Sequence, residues 1–377
     1  MIISDVLAKI FRRQVAPEVA RLAELGETSE RTLRRSARNL RQAASRESAI
    51  DLESAQRIPR GSGRPRSRGS GISDRYLNRV IDERSAELGL NTDAQRALEA
   101  GLLIDEPLLT VALAGGQTRP ELLFGKKEWA GYLDARAFAR RHGDRELTVP
   151  FIAEIYQRLA VRQDSIFAFG TRRCTLLHPL TDKEKSLIES NRYLKLVPTG
   201  TVPTRHGGIQ FVVPSKEIEG ELQSLCDWYN KARAHRGTEP YRLAAELQQR
   251  FVSIHPWPDH NGRSSRLLMN WSLERDNLPP SAPSDFNKDF FSTADEWTDQ
   301  VRAGSHAYAE RAARLDHLGD TAEPVTVFGL EHERERFLNL FGHTEPFNPG
   351  ALHDFSLNQS ILESLRGNRT PDSGVEG

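Results

Sequence analysis

Cysteine is almost absent: Cys174 and Cys226 are the only two in 377 residues, and they lie far apart. No metal-binding cysteine spacing exists, and no disulfide framework can be built. Two reduced, partly buried thiols fit this better than one disulfide. No apolar run is long enough to cross a bilayer. The start, MIISDVLAKIFRRQ, has too short an apolar run for a signal peptide and lacks a small-residue cleavage site. The expected compartment is the cytoplasm, or the exterior by a route without a cleaved signal. Charge of one sign is also missing, since 52 basic residues balance 52 acidic ones. No global field draws in nucleic acid or an anionic membrane, so any anion site must be local. No internal repeat is evident.

Apolar residues make up 38% of the chain and charged residues 28%, which suits a soluble globular protein of two or three units. Residues 1–58 are expected to form an Arg-rich helical N-terminal region. Its arginines at 31, 34, 35, 38 and 41 suit a solvated helix face better than a nucleic-acid face. Residues 59–71, PRGSGRPRSRGSG, are a linker by composition, with no apolar side chain apart from prolines to offset the entropy of ordering. Helices joined by short loops are expected over 72–150, a catalytic core over 151–310, a helical extension over 311–366 and a disordered tail over 367–377. The segment 196–214 has the features of a hairpin: Gly207-Gly208 is a turn dipeptide, and Ile209, Phe211 and Val213 then alternate. Pro214-Ser215 is expected to stop it and cap the next helix. Another helix is expected over about 241–254, with Leu243, Leu247, Phe251 and Ile254 on one face.

The chemistry concentrates in His255-Pro256-Trp257-Pro258-Asp259-His260-Asn261-Gly262-Arg263-Ser264-Ser265-Arg266. A tight loop separates the helix ending at Ile254 from one beginning near Asn261. The free N–H groups and positive dipole end of the second helix make an anion site. Arg263 and Arg266, three apart, share one helix face beside it and can bind phosphate oxygens bidentately. Asp259 is the loop's one carboxylate, and a single carboxylate with phosphate oxygens and waters is a usual Mg²⁺ environment. His255 can accept a proton from a hydroxyl near neutral pH. These are the working parts of phosphoryl-type transfer. A transition-metal site from His255, Asp259 and His260 is the competing reading, but adjacent Asp259 and His260 rarely point at one ion.

This segment resembles the signature of the Fic/Doc family, H-P-F-x-[D/E]-G-N-G-R-x-x-R, and the flanking pattern agrees over about 151–280. The resemblance implies a mainly α fold: a Fic-type helical bundle core with a short β-hairpin flap, plus N-terminal and C-terminal helical extensions. It implies transfer of AMP from ATP, with Mg²⁺, to a hydroxyl of a target protein. His255 would be the general base and Asp259 the Mg²⁺ ligand. His260, Asn261, Gly262, Arg263 and Arg266 would hold the nucleotide phosphates. Thr204, Arg205 and His206 would lie in a flap that holds the target by strand-type pairing. A separate inhibitor or antitoxin protein is a further partner the family admits.

Two departures stand out. Trp257 replaces Phe, and His260 replaces a glycine where backbone and phosphate come close. The His260 imidazole must project beside the phosphates or out to solvent, and outward projection is expected because the arginines already supply positive charge. The family's inhibitory [S/T]-x-x-x-E-[G/N] string fits Ser215–Gly220 (SKEIEG), read here as a coincidence within a core helix, and is faintly echoed at 47–51. Alternatives to AMP transfer are transfer of phosphate or UMP on the same fold, or a degenerate module that binds nucleotide or protein without catalysis.

Overall fold

The protein is described by a computed structural model over residues 72–161, 172–175, 180–197, 208–235 and 237–341. The Arg-rich region, the linker, the tail and the flap residues Thr204, Arg205 and His206 lie outside the described residues. From Ser73 onward these residues belong to a single compact unit. In chain order its helices and strands are α1 (Asp74–Leu88), α2 (Asp93–Ala100), α3 (Glu106–Ala114), α4 (Pro120–Phe124), α5 (Lys126–Arg141), α6 (Val149–Leu159), β1 (Arg172–Thr175), α7 (Asp182–Ser190), β2 (Leu194–Val197), β3 (Gly208–Phe211), α8 (Ile218–Ala234), α9 (Pro240–Ile254), α10 (Asn261–Arg275), α11 (Ala294–Leu318), α12 (Pro324–Phe328) and α13 (Glu331–Phe341). The architecture is mostly helical, as expected. None of the described helices is long and apolar enough to cross a membrane.

Local sequence sets the helix ends. Thr148 caps α6 by accepting from the Phe151 amide, and Pro150 sits in the first turn, where it loses no hydrogen bond. Thr293 and Glu296 close a reciprocal capping box on α11. That helix runs from Ala294 to Leu318. Ser215 does not cap α8. The chain instead passes from Pro214 through a 3₁₀ turn over Ser215–Glu217, with no side-chain cap bond, because the extended Pro214 leads directly into a tighter turn. The SKEIEG string thus spans this turn and the start of α8, and Ile218 and Leu222 bury that helix in the core.

The sheet has three antiparallel strands in the order β1-β3-β2, one more than the hairpin expected. Phe211 on the central strand stands opposite Arg172 of β1 and Leu194 of β2. The short polar strand β1, Arg-Arg-Cys-Thr, has no alternation that could have announced it.

The main core joins α5, α6, α8, α9 and α10, with Trp129, Tyr132, Phe151, Tyr229, Phe251 and Trp271 among its largest members. The predicted stripe Leu243, Leu247, Phe251 and Ile254 of α9 faces it. The opposite side of α9, Ala244 and Ala245, meets Trp297 and Val301 of α11. Helix α9 is therefore clamped on two faces, and α10 packs along it. Gly131 lets α5 approach the end of α6: a Cβ there would stand 2.5 Å from the Leu159 carbonyl oxygen. Buried Arg136 on α5 donates to Glu99 of α2 at 2.8 Å and to Glu274 of α10 at 2.7 Å. This paired, hydrogen-bonded cluster fixes where α10 ends relative to α2 and α5.

Candidate active site

Helix α9 ends at Ile254 because His255 turns into the left-handed region, φ 52° and ψ 59°. Five residues on, His260 does the same at the start of α10, φ 62° and ψ 10°. Two non-glycine residues in this region cost roughly 1–3 kcal/mol each, so the surroundings must over-determine the loop. Asn261 does this from within. It is 3% exposed, its Oδ1 accepts from the Trp257 amide at 2.9 Å, and its Nδ2 donates to the Trp257 carbonyl at 2.6 Å. Trp257 is buried in turn. It stacks on Tyr156 with centroids 4.3 Å apart and planes 7° apart, and leans on Phe251 at 5.3 Å. The replacement of Phe by Trp is thus absorbed by the Tyr156 face.

The loop and the first turns of α10 line one open cavity of about 220 Å³. Its walls are His255, Pro258, Asp259, His260, Asn261, Gly262, Arg263 and Arg266. Every motif residue expected to carry chemistry therefore meets in one place. His260 offers no side-chain cap, so the α10 amides are left to other acceptors. Arg263 Nη2 stands 3.9 Å from Asp259 Oδ2. Gly262 lies under Arg266: a Cβ there would approach its Nη1 to 3.2 Å.

His255 is half-buried. Its Nδ1 lies 3.2 Å from the Val252 carbonyl oxygen, which can only accept, so Nδ1 carries the proton in this contact. Asp259 is largely exposed, its side chain 74% accessible. Burial opposes its ionisation, but the His260 charge, the His260 amide and Arg263 outweigh burial and hold its carboxyl below the ordinary range. At neutral pH the amide, donating at 2.6 Å, and Arg263 carry this effect. An ionised carboxylate whose second oxygen stands 3.9 Å from the Arg263 guanidinium fits a divalent ion that also takes phosphate oxygens. No cluster of three or more His, Cys, Asp or Glu suited to a metal exists among the described residues.

His260 differs from the outward projection expected of it. Its side chain is only 14% exposed, its ring lies 6.2 Å from that of Tyr156, and its Nδ1 is buried without a partner. Burial first, then Arg263, pushes its pKa down to about 4, so it is neutral near pH 7. The reason is packing: at φ 62° the Cβ directs the ring against the Tyr156 wall rather than to solvent.

Arg266 sits deeper than its position on the helix suggested. Its Nη2 donates to the Leu103 carbonyl at 2.9 Å, and its guanidinium lies 4.3 Å from the Phe286 ring centroid. Burial lowers its pKa, while Asp105 and Asp289 oppose that effect. Asp289 is buried in turn, which pushes its carboxyl up to about 7. Leu103, Asp105, Phe286 and Asp289 lie far from the motif in sequence, and no local signal marked them. Phe211, stacked on His255 with centroids 3.7 Å apart, was marked by the alternation of Ile209, Phe211 and Val213.

This constellation can hold a polyanion beside the His255 imidazole. A family model described as "Fic/DOC family" matches residues 177–273, which span α7, β2, β3, α8, α9 and nearly all of α10. The chain carries a Fic/DOC family domain. A uridine 5'-monophosphate transferase of Xanthomonas campestris pv. campestris is 38% identical over 74 residues, 19% of this chain and 14% of that protein. A Fido domain-containing protein of Dictyostelium discoideum is 36% identical over 93 residues, 24% of this chain and 65% of that one. A protein adenylyltransferase Fic of Nematostella vectensis is 29% identical over 127 residues, 33% of this chain and 29% of that protein. The chain thus spans less than two thirds of the length of each of these relatives. Among solved structures, a Fic domain-containing signaling protein from Bacteroides thetaiotaomicron aligns with TM-score 0.33 and 19% identity, covering 81% of this chain and 95% of that one. Helices α1–α6 and α11–α13 lie outside the matched segment; Tyr156, Leu103 and Phe286, also outside it, touch the cavity-lining His260 and Arg266.

Proposed function

We propose that this chain transfers AMP from ATP to a Ser, Thr or Tyr hydroxyl of a target protein. The hydroxyl oxygen attacks the α-phosphorus, the bond from that phosphorus to the β-phosphate oxygen breaks, and pyrophosphate leaves. The hydroxyl proton passes to Nε2 of His255, a step for which the Val252 contact pre-sets the tautomer. A positioned general base contributes on the order of 10²–10⁴ in rate. Arg263, the α10 amides around Asn261 and Gly262, and Arg266 bind the phosphates. His260 contributes its backbone here, since its imidazole is uncharged and tucked away. Asp259 would hold Mg²⁺, which neutralises phosphate charge when bound. Thr204, Arg205 and His206 would present a strand edge to the target.

The observation that carries this reading is that His255, Asp259, Arg263 and Arg266 line one cavity at the start of α10. UMP transfer is the second reading, favoured by the similarity to the uridine 5'-monophosphate transferase. Incubating the protein and a cell extract with each nucleoside triphosphate, followed by peptide mass spectrometry, separates the two. Peptides carrying AMP support the proposal, and peptides carrying UMP move it to the second reading. No modification with any triphosphate ends both.

A further inference from the structure

The candidate base is held by a ring that the motif does not contain. Phe211, the last residue of β3, faces His255 with centroids 3.7 Å apart and planes 15° apart. Phe211 is itself fixed. It is 3% exposed, its strand is paired on both sides, and the Val212 amide beside it donates to the Tyr193 carbonyl at 3.0 Å. Behind it stands Phe290, with centroids 5.7 Å apart. Phe290 closes the 3₁₀ turn Phe286–Phe290, whose first residue lies under Arg266. One turn outside the matched family segment thus backs both the base and a phosphate-binding arginine.

We infer that Phe211 is a positioning residue for the transfer: its ring fixes the plane of the His255 imidazole and ties that plane to the sheet. The role rests on His255 being the base, as proposed above. Other restraints also act on the imidazole, among them the left-handed backbone of His255 and the Nδ1 contact with Val252. The first fixes where the side chain starts, and the second fixes one edge of the ring. Neither prevents the ring from rocking about the axis through Nδ1, and the Phe211 face does. That rocking would move Nε2, the atom that must meet the hydroxyl proton. A misplacement of about 1 Å costs up to on the order of 10²-fold in rate.

The test compares Phe211→Leu with Phe211→Tyr. Leucine keeps apolar bulk and removes the aromatic face, whereas tyrosine keeps the face. Phe211→Met, flexible and similar in volume, carries the same expectation as leucine and guards against a folding failure. The first readout is the proton NMR signal of the His255 ring, assigned by its loss in His255→Ala. Stacking under Phe211 shifts those protons upfield. The shift should be present in the wild type and Phe211→Tyr, and absent in Phe211→Leu and Phe211→Met. The second readout is transfer: kcat should fall roughly 10- to 100-fold in the Leu and Met variants. Nucleotide affinity should stay within about twofold of wild type, and the Tyr variant should recover kcat to within about threefold, because only the base is misplaced. A wild-type ring without the upfield shift, or a Leu variant with undiminished kcat, overturns the positioning role. A wild type that transfers nothing from any triphosphate overturns the transferase reading instead, and the two failures are read in different experiments.

Discussion

Asn261→Ala should loosen the whole loop. The change removes two hydrogen bonds, to the Trp257 amide at 2.9 Å and to its carbonyl at 2.6 Å. Trp257 is 1% exposed, so water cannot easily replace the lost partner. Each buried group left unsatisfied costs about 1–3 kcal/mol. If the loop stays closed, the cost is about 2–6 kcal/mol. If it opens, it relaxes two left-handed residues, His255 and His260, which gives back roughly 1–3 kcal/mol each but takes the pocket apart. The smaller net loss prevails, and we expect about 2–4 kcal/mol with an opened loop. For a unit of this size that corresponds to a fall in Tm of roughly 4–15 °C. Calorimetric melting and titration with a non-hydrolysable ATP analogue check both halves. A variant with unchanged Tm and unchanged affinity would refute the claim that Asn261 holds the loop.

Arg263→Ala should weaken binding of the ATP analogue about tenfold or more, the worth of one charge-assisted contact, whereas His255→Ala should leave it within about twofold; calorimetric titration of both variants decides. His260 should make the protein acid-sensitive. Its folded pKa lies at about 4, below the ordinary 6.5, so the unfolded chain binds the extra proton first. Stability should therefore fall as pH drops from about 6.5 to 4, by up to about 3 kcal/mol. Denaturant midpoints of His260→Asn, which tolerates the left-handed backbone and does not titrate, should show a shallower slope over that window. A truncation beginning at Ile72 should unfold cooperatively with a Tm close to that of the full chain, because few contacts are expected across the linker composition of 59–71; a large loss of stability would show that the N-terminal region packs on the rest.

The motif and its helices were legible because local rules govern them. The stripe of α9 and the start of α10 follow from helical spacing, and the convergence of His255, Asp259, Arg263 and Arg266 follows from a short loop between two helices. Phe211 was visible as an inward position of an alternating run, though not as a neighbour of His255. The rest depends on contacts distant in sequence. Strand β1 owes its existence to pairing with β3, since its four residues have no pattern of their own. The wall around Arg266 comes from Leu103 and Phe286, more than a hundred residues apart. His260 turned inward because Tyr156 offers a surface there, which no count of nearby charges could reveal. Ser215 lost its capping role to the turn imposed after Pro214.

On the proposed function, His255 drives transfer of the α-phosphoryl group with its nucleoside. The most direct measurement incubates wild-type protein and His255→Ala with a protein extract and ATP labelled at either the α- or the γ-phosphate. Covalent label should reach protein from α-labelled ATP alone, reduced on the order of 10²–10⁴-fold by His255→Ala. Label arriving from the γ-phosphate, or equal labelling by the two proteins, would contradict it.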